Sequence, residues 1–392
     1  MGKYDFETVY NRTGTQSIKW DVKEGVLPRW IADRDFPAAP EIVSALSKRV
    51  NEGIFGYTSP HEDWYKAYRD FFFRHHRLSL RKDWLVFSLG VVPTVSSSVR
   101  KLTKKGDQVV LLTPVYNIFY NSILNNGRIV REVPLIYQDG RYSVDFPSLG
   151  QALKEEKTTR RILCNPANPV GRIFSKEDLR KIGHLCKENS VVVLSDEIHG
   201  EITRPGREYT PFFSVSEENR ENSVTAVSVT KAFNLAGIQT SAIIIPNPEL
   251  RKKVVRQINT DEVAEPNVFS CVAAVAALNK GDGWLRERRE KVFANREYAS
   301  SFLKKEIPMV SLVKGDATYL LWIDVSKVTK DSLSLARFLK EKAGLYLEEG
   351  DVYGKGGQGF LRRNVACPLP LVKEGLRRLK AGIALFSKEA KA

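Results

Sequence analysis

Five short apolar runs, at residues 108–113, 160–164, 190–195, 223–229 and 241–246, punctuate the middle of the chain, separated by loops and by stretches with helical spacing. Runs of this length, rich in Val, Ile and Leu and without polar alternation, suit strands buried on both faces. Strands that alternate with helices predict a mostly parallel sheet covered on both sides, so the expected class is α/β.

At 392 residues the chain has room for one large α/β domain and a smaller one. The large one is expected over residues 48–285. Residues 1–47 and 286–392 should supply an N-terminal arm and a small α+β domain, with short strands near 319–325 and 360–366. The arm is irregular and aromatic, running through Trp20 and Trp30 to Ala32-Asp33-Arg34-Asp35-Phe36-Pro37. A helix is predicted from about Glu41 and another over 61–76, joined by the glycine-marked loop Gly53-Ile54-Phe55-Gly56-Tyr57-Thr58.

In open α/β sheets ligands bind beyond the carboxyl ends of the strands, so the residues that follow each run are the candidates. The run at 223–229 leads into Lys231, flanked by Ser228 and Thr230. Hydroxyls beside a reactive amine suit a loop that holds a phosphate next to an imine-forming lysine, which suggests pyridoxal phosphate. After 108–113 comes Tyr116, a ring that could stack on a planar cofactor. Asn168, in the loop Asn165-Pro166-Ala167-Asn168-Pro169-Val170-Gly171, can donate from its amide to a phenolate. Asp196 follows the next run and can keep a pyridine nitrogen protonated, with His199 three residues on. Gly90-Val91-Val92-Pro93 opens a helix whose free N–H groups suit a phosphate. Near the C-terminus Arg362 and Arg363 are neighbours on a predicted strand, so only one can face the site, where it would grip a substrate carboxylate.

The remaining features narrow the class. Cys164, Cys186, Cys271 and Cys367 lie far apart, with no zinc or disulfide spacing, so no metal is expected and the thiols are read as reduced and packed. A formal net charge of +15 could serve nucleic acid, but no aromatic–basic motif accompanies it. Clusters such as Arg286-Glu287-Arg288-Arg289 are read as a solvated face that attracts anionic metabolites. No signal-peptide core or membrane-length apolar helix is found, which points to a cytoplasmic protein without a membrane or nucleic-acid partner.

With these residues assembled, the chain resembles the fold-type I pyridoxal phosphate enzymes, which share the fold of aspartate aminotransferase, and within them the MalY/PatB-type carbon–sulfur β-lyases. The likeness runs through Tyr4-Asp5-Phe6, Ser17-Ile18-Lys19-Trp20-Asp21, residues 30–36, Phe55-Gly56-Tyr57-Thr58, Gly90-Val91-Val92-Pro93, Pro114-Val115-Tyr116, residues 164–172, 195–199, 231–237, 318–322 and 360–368. The resemblance implies that Lys231 is the Schiff-base lysine, acting with Tyr116 in catalysis, and that Asp196 partners the pyridine nitrogen. Asn168 and His199 would flank the ring oxygen, and Tyr116 would stack. Val91, Val92, Ser228 and Thr230 would hold the phosphate, joined by Tyr57 from a second subunit, hence a homodimer. Arg362 would bind the substrate carboxylate.

The implied reaction is β-elimination from L-cystathionine, L-cystine or a similar cysteine-type amino acid, giving pyruvate, ammonia and a thiol. An aminotransferase would use the same Lys, Asp and Arg, and a regulatory protein that keeps the fold for binding is a third reading. Gln239, where many aminotransferases carry Arg, favours the lyase. Arg34, where the lyases usually have Met, and Leu369, where they often have Arg, bear on the substrate.

Overall fold

The computed structural model describes residues 2–389. Seven strands, β1 (Leu85–Ser88), β2 (Gln108–Thr113), β3 (Ile129–Pro134), β4 (Thr158–Cys164), β5 (Val192–Asp196), β6 (Ser223–Val227) and β7 (Ser241–Ile244), form one sheet in the order β1-β7-β6-β5-β4-β2-β3. Strand β7 runs antiparallel to both its neighbours, and the other pairs are parallel. The five predicted runs are its interior strands. Burial on two faces explains their largely apolar composition. Val109 and Leu111 of β2 pack with the helices Val91–Leu102 and Pro248–Thr260, while Val110 and Leu112 point the other way, towards Phe146–Lys154 and Lys176–Glu188. Each fully buried aliphatic side chain contributes roughly 1.5–3 kcal/mol.

The sequence did not reveal β1 and β3, and both are sheet edges. An edge strand has one neighbour and a wetter surface, so β3 carries Arg131, Glu132 and a terminal Pro134 among its apolar residues.

A second sheet joins β8 (Ser311–Leu312), β9 (Leu320–Asp324), β10 (Glu348–Glu349) and β11 (Phe360–Asn364), all antiparallel, in the order β8-β9-β11-β10. Leu321, Ile323 and Leu361 pack beneath the helices Ser332–Lys342 and Leu369–Glu389. In register, Trp322 and Glu348 lie on either side of Arg362.

The N-terminal arm is fastened by charge. Lys19 Nζ and Arg29 Nη1 both lie 2.7 Å from Asp35 Oδ2, and Trp20 Nε1 donates to Oδ1 at 2.8 Å. Burial opposes ionisation of Asp35, but Lys19 and Arg29 prevail and hold its carboxyl well below the usual carboxylate range. The fastening places the arm's carbonyls against the second sheet: Asn364 Nδ2 donates to Ile31 O at 2.8 Å and Arg362 Nη2 to Trp30 O at 2.8 Å.

One reading is corrected. Arg288 is not part of a solvated face but fully buried, on the inner side of the helix Asp282–Glu306. No helix among the described residues is long and apolar enough to cross a membrane.

Candidate active site

The carboxyl ends of β2, β4, β5 and β6 and the start of the helix Val91–Leu102 enclose a cavity of about 320 Å3. Of the residues singled out in the sequence, Lys231, Tyr116, Asn168, Asp196, His199, Thr230, Val91 and Val92 line it. Their convergence follows from topology, because parallel neighbours deliver their following loops to the same edge of the sheet.

Lys231 sits in the short helix Val229–Phe233. The Ser228 hydroxyl caps that helix, accepting from Thr230 N at 3.1 Å, and it also donates to Thr240 O at 2.6 Å. Ser228 therefore stands behind the cavity wall, whereas Thr230 is on it. The Lys231 amine donates to Ala32 O at 2.7 Å, and the Tyr319 hydroxyl donates to the same oxygen at 3.1 Å. The arm thus closes the cavity through a backbone carbonyl, a contact that no side-chain pattern in the sequence signals.

Asp196 is 3% exposed. Burial pushes its carboxyl up to about 7, against the Ile198 N–H that donates to Oδ1 at 3.0 Å and the nearby Lys231 charge. An acid held at this balance is readily ionised by a cationic ring nitrogen placed beside it. His199 is equally buried. Burial first, then Lys231, Arg34, Arg362 and Arg288, hold its pKa well below the ordinary histidine value, so it is neutral at pH 7, and its Nδ1 has no partner among the described residues. Burial raises the Tyr116 hydroxyl to about 12, so this ring is present as the neutral phenol.

Arg362 and Arg363 point to opposite faces of β11. Arg362 Nη1 donates to Asn168 Oδ1 at 3.3 Å, and Nη2 lies 3.3 Å from Glu348 Oε2. That contact occupies the amide oxygen of Asn168 and leaves its N–H groups to donate to a ligand. Arg363 instead donates to Val372 O at 2.6 Å, inside the core of the second sheet. Leu369, the third departure noted in the sequence, begins the helix on that side. Tyr57 does not line the cavity in this chain: its side chain is fully exposed on the loop after the helix Pro40–Asn51.

Several cavity-lining residues, Leu89, Ala236 and Thr240 among them, had no site role in the sequence reading, and Cys164, read there only as a packed thiol, ends β4 in the wall. Gln239, noted in the sequence as a departure from the aminotransferases, lines the cavity from the left-handed backbone region, with φ of 55°.

Comparison with known proteins fits this geometry. The chain is 41% identical to cystathionine beta-lyase PatB of Bacillus subtilis over 387 residues, covering 97% of this chain and all of the relative. Among solved structures, cystalysin from Treponema denticola, which contains pyridoxal 5'-phosphate, superposes with a TM-score of 0.94 at 32% identity, covering 97% of this chain and 99% of its own. A pyridoxal phosphate-bound putative aminotransferase from Clostridium difficile gives a TM-score of 0.94 at 33% identity, over 97% of this chain and 100% of its own. The sequence profile described as Aminotransferase class I and II matches residues 32–379, and the chain belongs to that family.

Proposed function

We propose that this chain is a pyridoxal phosphate-dependent carbon–sulfur β-lyase acting on cystathionine-like amino acids. The observation that carries the reading is the meeting, in one cavity, of the Lys231 amine, the buried acid Asp196 and the Asn168 amide oriented by Arg362.

The cavity fits the cofactor chemically. Asp196 would face the ring nitrogen, the Asn168 N–H groups the ring oxygen, and Tyr116 the ring itself. The Thr230 hydroxyl and the N–H groups of Val91 and Val92 would hold the phosphate. Bound there, pyridoxal phosphate supplies an electron sink conjugated to the substrate's α-carbon.

The chain's own residues do the rest. Arg362, 4% exposed and already fixed by three acceptors, holds the substrate's α-carboxylate and turns the Cα–H towards Lys231. The Lys231 amine takes that proton. Neutral His199 packs at the ring-oxygen side without adding charge. Loss of the thiolate from Cβ, followed by hydrolysis of the remaining enamine, gives pyruvate and ammonia.

Tyr57 reaches the phosphate site of a second copy, so the active unit is a homodimer. Its exposure on the loop is what supports this. Residues 48–285 form the large cofactor domain, and the protein works in the cytoplasm, where its four buried, unpaired cysteines would stay reduced.

The relatives named cystathionine beta-lyase and cystalysin favour elimination, while the family description and the putative aminotransferase favour amino transfer. Purified holoenzyme with L-cystathionine should release pyruvate with no oxo-acid acceptor present. Fast amino transfer to an oxo acid, with negligible pyruvate, would replace the lyase reading by the aminotransferase one.

A further inference from the structure

Arg362 takes the α-carboxylate in the scheme above, yet a carboxylate is already beside it. Glu348 stands directly opposite Arg362 on β10, so the two side chains share a face of the sheet, and Glu348 Oε2 lies 3.3 Å from Arg362 Nη2. Arg362 is the one hydrogen-bond partner of the Glu348 carboxylate among the described residues.

The donors of Arg362 set the terms on which a substrate can bind. A guanidinium offers paired N–H groups along two edges, Nε with Nη2 and Nη1 with Nη2, while Cδ closes the third, so either fork needs Nη2. The two N–H groups of Nη2 already have two acceptors, Trp30 O at 2.8 Å and Glu348 Oε2 at 3.3 Å. Nε has no partner among the described residues, and Nη1 donates to Asn168 Oδ1 at 3.3 Å. A substrate carboxylate is gripped at two points only when one acceptor leaves Nη2. Trp30 O is the closer of the two and a backbone atom of the fastened arm. Glu348 is the longer contact, made by a side chain that keeps 16% of its surface exposed.

The energetics point the same way. Burial raises the Glu348 carboxyl above its ordinary value against the pull of Arg362, and Glu349 beside it adds to the rise, so the pairing does not offset desolvation. Nor does Arg362 need Glu348 to keep its place. Asn168 Oδ1 and Trp30 O still hold it, and the Tyr353 ring lies 5.0 Å from the guanidinium, itself met edge-on by Trp322 at 5.3 Å. Asn168 lines the cavity, which puts Nη1 one hydrogen bond behind the wall, and the room a carboxylate needs at Nη2 is the room that the Glu348 carboxylate fills.

We propose that Glu348 is a specificity-determining residue, the resident counter-ion of Arg362 that the substrate's α-carboxylate displaces. A ligand must then offer two oxygens to Arg362 to take its place, which amides and single-point anions cannot do. This rests on the assignment of the α-carboxylate to Arg362 made above.

The test titrates holoenzyme calorimetrically with 3-(methylthio)propanoate, a substrate analogue without the α-amino group, and with the neutral 3-(methylthio)propanamide. E348Q and E348A should bind the carboxylate roughly tenfold tighter than the wild type does, with binding of the amide unchanged. If Glu348 only braced Arg362 the sign would be reversed, so equal or weaker carboxylate binding in the folded variants overturns the proposal. In turnover of L-cystathionine by E348Q, KM should fall by a similar factor with kcat within roughly twofold of the wild type. In the wild type, affinity for the carboxylate but not the amide should rise as pH falls from about 8 to about 5, because protonated Glu348 no longer competes, and this slope should vanish in E348Q. The groups facing Glu348 are Arg362 on β11, its neighbour Glu349, and the phenols of Tyr116, Tyr346 and Tyr353, all three raised by burial and neutral over that range. Parallel wild-type profiles for acid and amide overturn the proposal whether or not a variant folds. Carboxylate binding undiminished in R362M removes Arg362 from its role and the proposal with it. Tighter carboxylate binding by E348Q, with no pyruvate released from L-cystathionine, would sink the lyase reading and keep the competition.

Discussion

Replacing Arg362 and Arg363 in turn by methionine, an uncharged side chain of similar length, tests the register of one strand against function. Three acceptors, Asn168 Oδ1, Trp30 O and Glu348 Oε2, hold the Arg362 guanidinium at 2.8–3.3 Å before any substrate arrives, so binding costs little side-chain entropy. A hydrogen bond to a charged group contributes about 1.5–3 kcal/mol. Loss of about 3 kcal/mol of carboxylate binding corresponds to a roughly 150-fold fall in kcat/KM. Arg362→Lys keeps the charge without the fork and should fall between, at roughly tenfold. Arg363→Met loses the bond to Val372 O, about 1 kcal/mol, but also removes a buried cation whose Nε and Nη1 have no partner among the described residues and whose pKa burial lowers to about 9. Its kcat/KM should stay within roughly threefold of wild type, with the effect confined to thermal stability. Pyruvate release from L-cystathionine, followed by a coupled lactate dehydrogenase assay, measures both. Equal losses in kcat/KM, or a larger one for Arg363→Met, would mean that the site does not lie on the Asn168 side of β11.

In cofactor-free protein, Asp196→Asn should be stabilising at neutral pH. Burial raises the native carboxyl from 3.8 to about 7, so the unfolded chain ionises first and the wild type loses stability as pH climbs through that window, up to roughly 4 kcal/mol. The melting-temperature gain of the variant should therefore grow between about pH 4 and pH 7 and then level off; a gain that is flat with pH refutes the buried-acid assignment. Borohydride reduction of the yellow holoenzyme, followed by peptide mapping, should label Lys231 alone, and label on another lysine would displace it from the proposed role. Inactive Tyr57→Phe and Lys231→Ala proteins, mixed so that subunits exchange, should recover part of the activity. Full activity in a demonstrably monomeric preparation would remove Tyr57 from the site.

Much of this molecule could be read along the chain because its interior strands are buried on both faces. That burial makes them largely apolar, so 108–113 and its partners stand out without any tertiary knowledge, and their ends and the segments after them carry Tyr116, Asn168, Asp196 and Lys231. The period-two alternation of a strand likewise separates Arg362 from Arg363 in advance. Edge strands escape notice because their sequences mix charge with apolar residues, as Ile129–Pro134 does.

What the linear sequence could not supply depends on segments far apart in the chain. The Ala32 carbonyl meets the Lys231 amine only because Asp35 fastens the arm, and a backbone oxygen has no residue-type signature. Arg288 lies in a helix so rich in charge that its own sequence resembles a solvated surface. Its place over the Trp284 ring and its reach to Glu201 O put this arginine on the inner side, unlike the exposed Arg286 two residues before it. Burial makes the same charge costly to keep, because desolvation is set by the neighbours folding brings together and not by the residue itself.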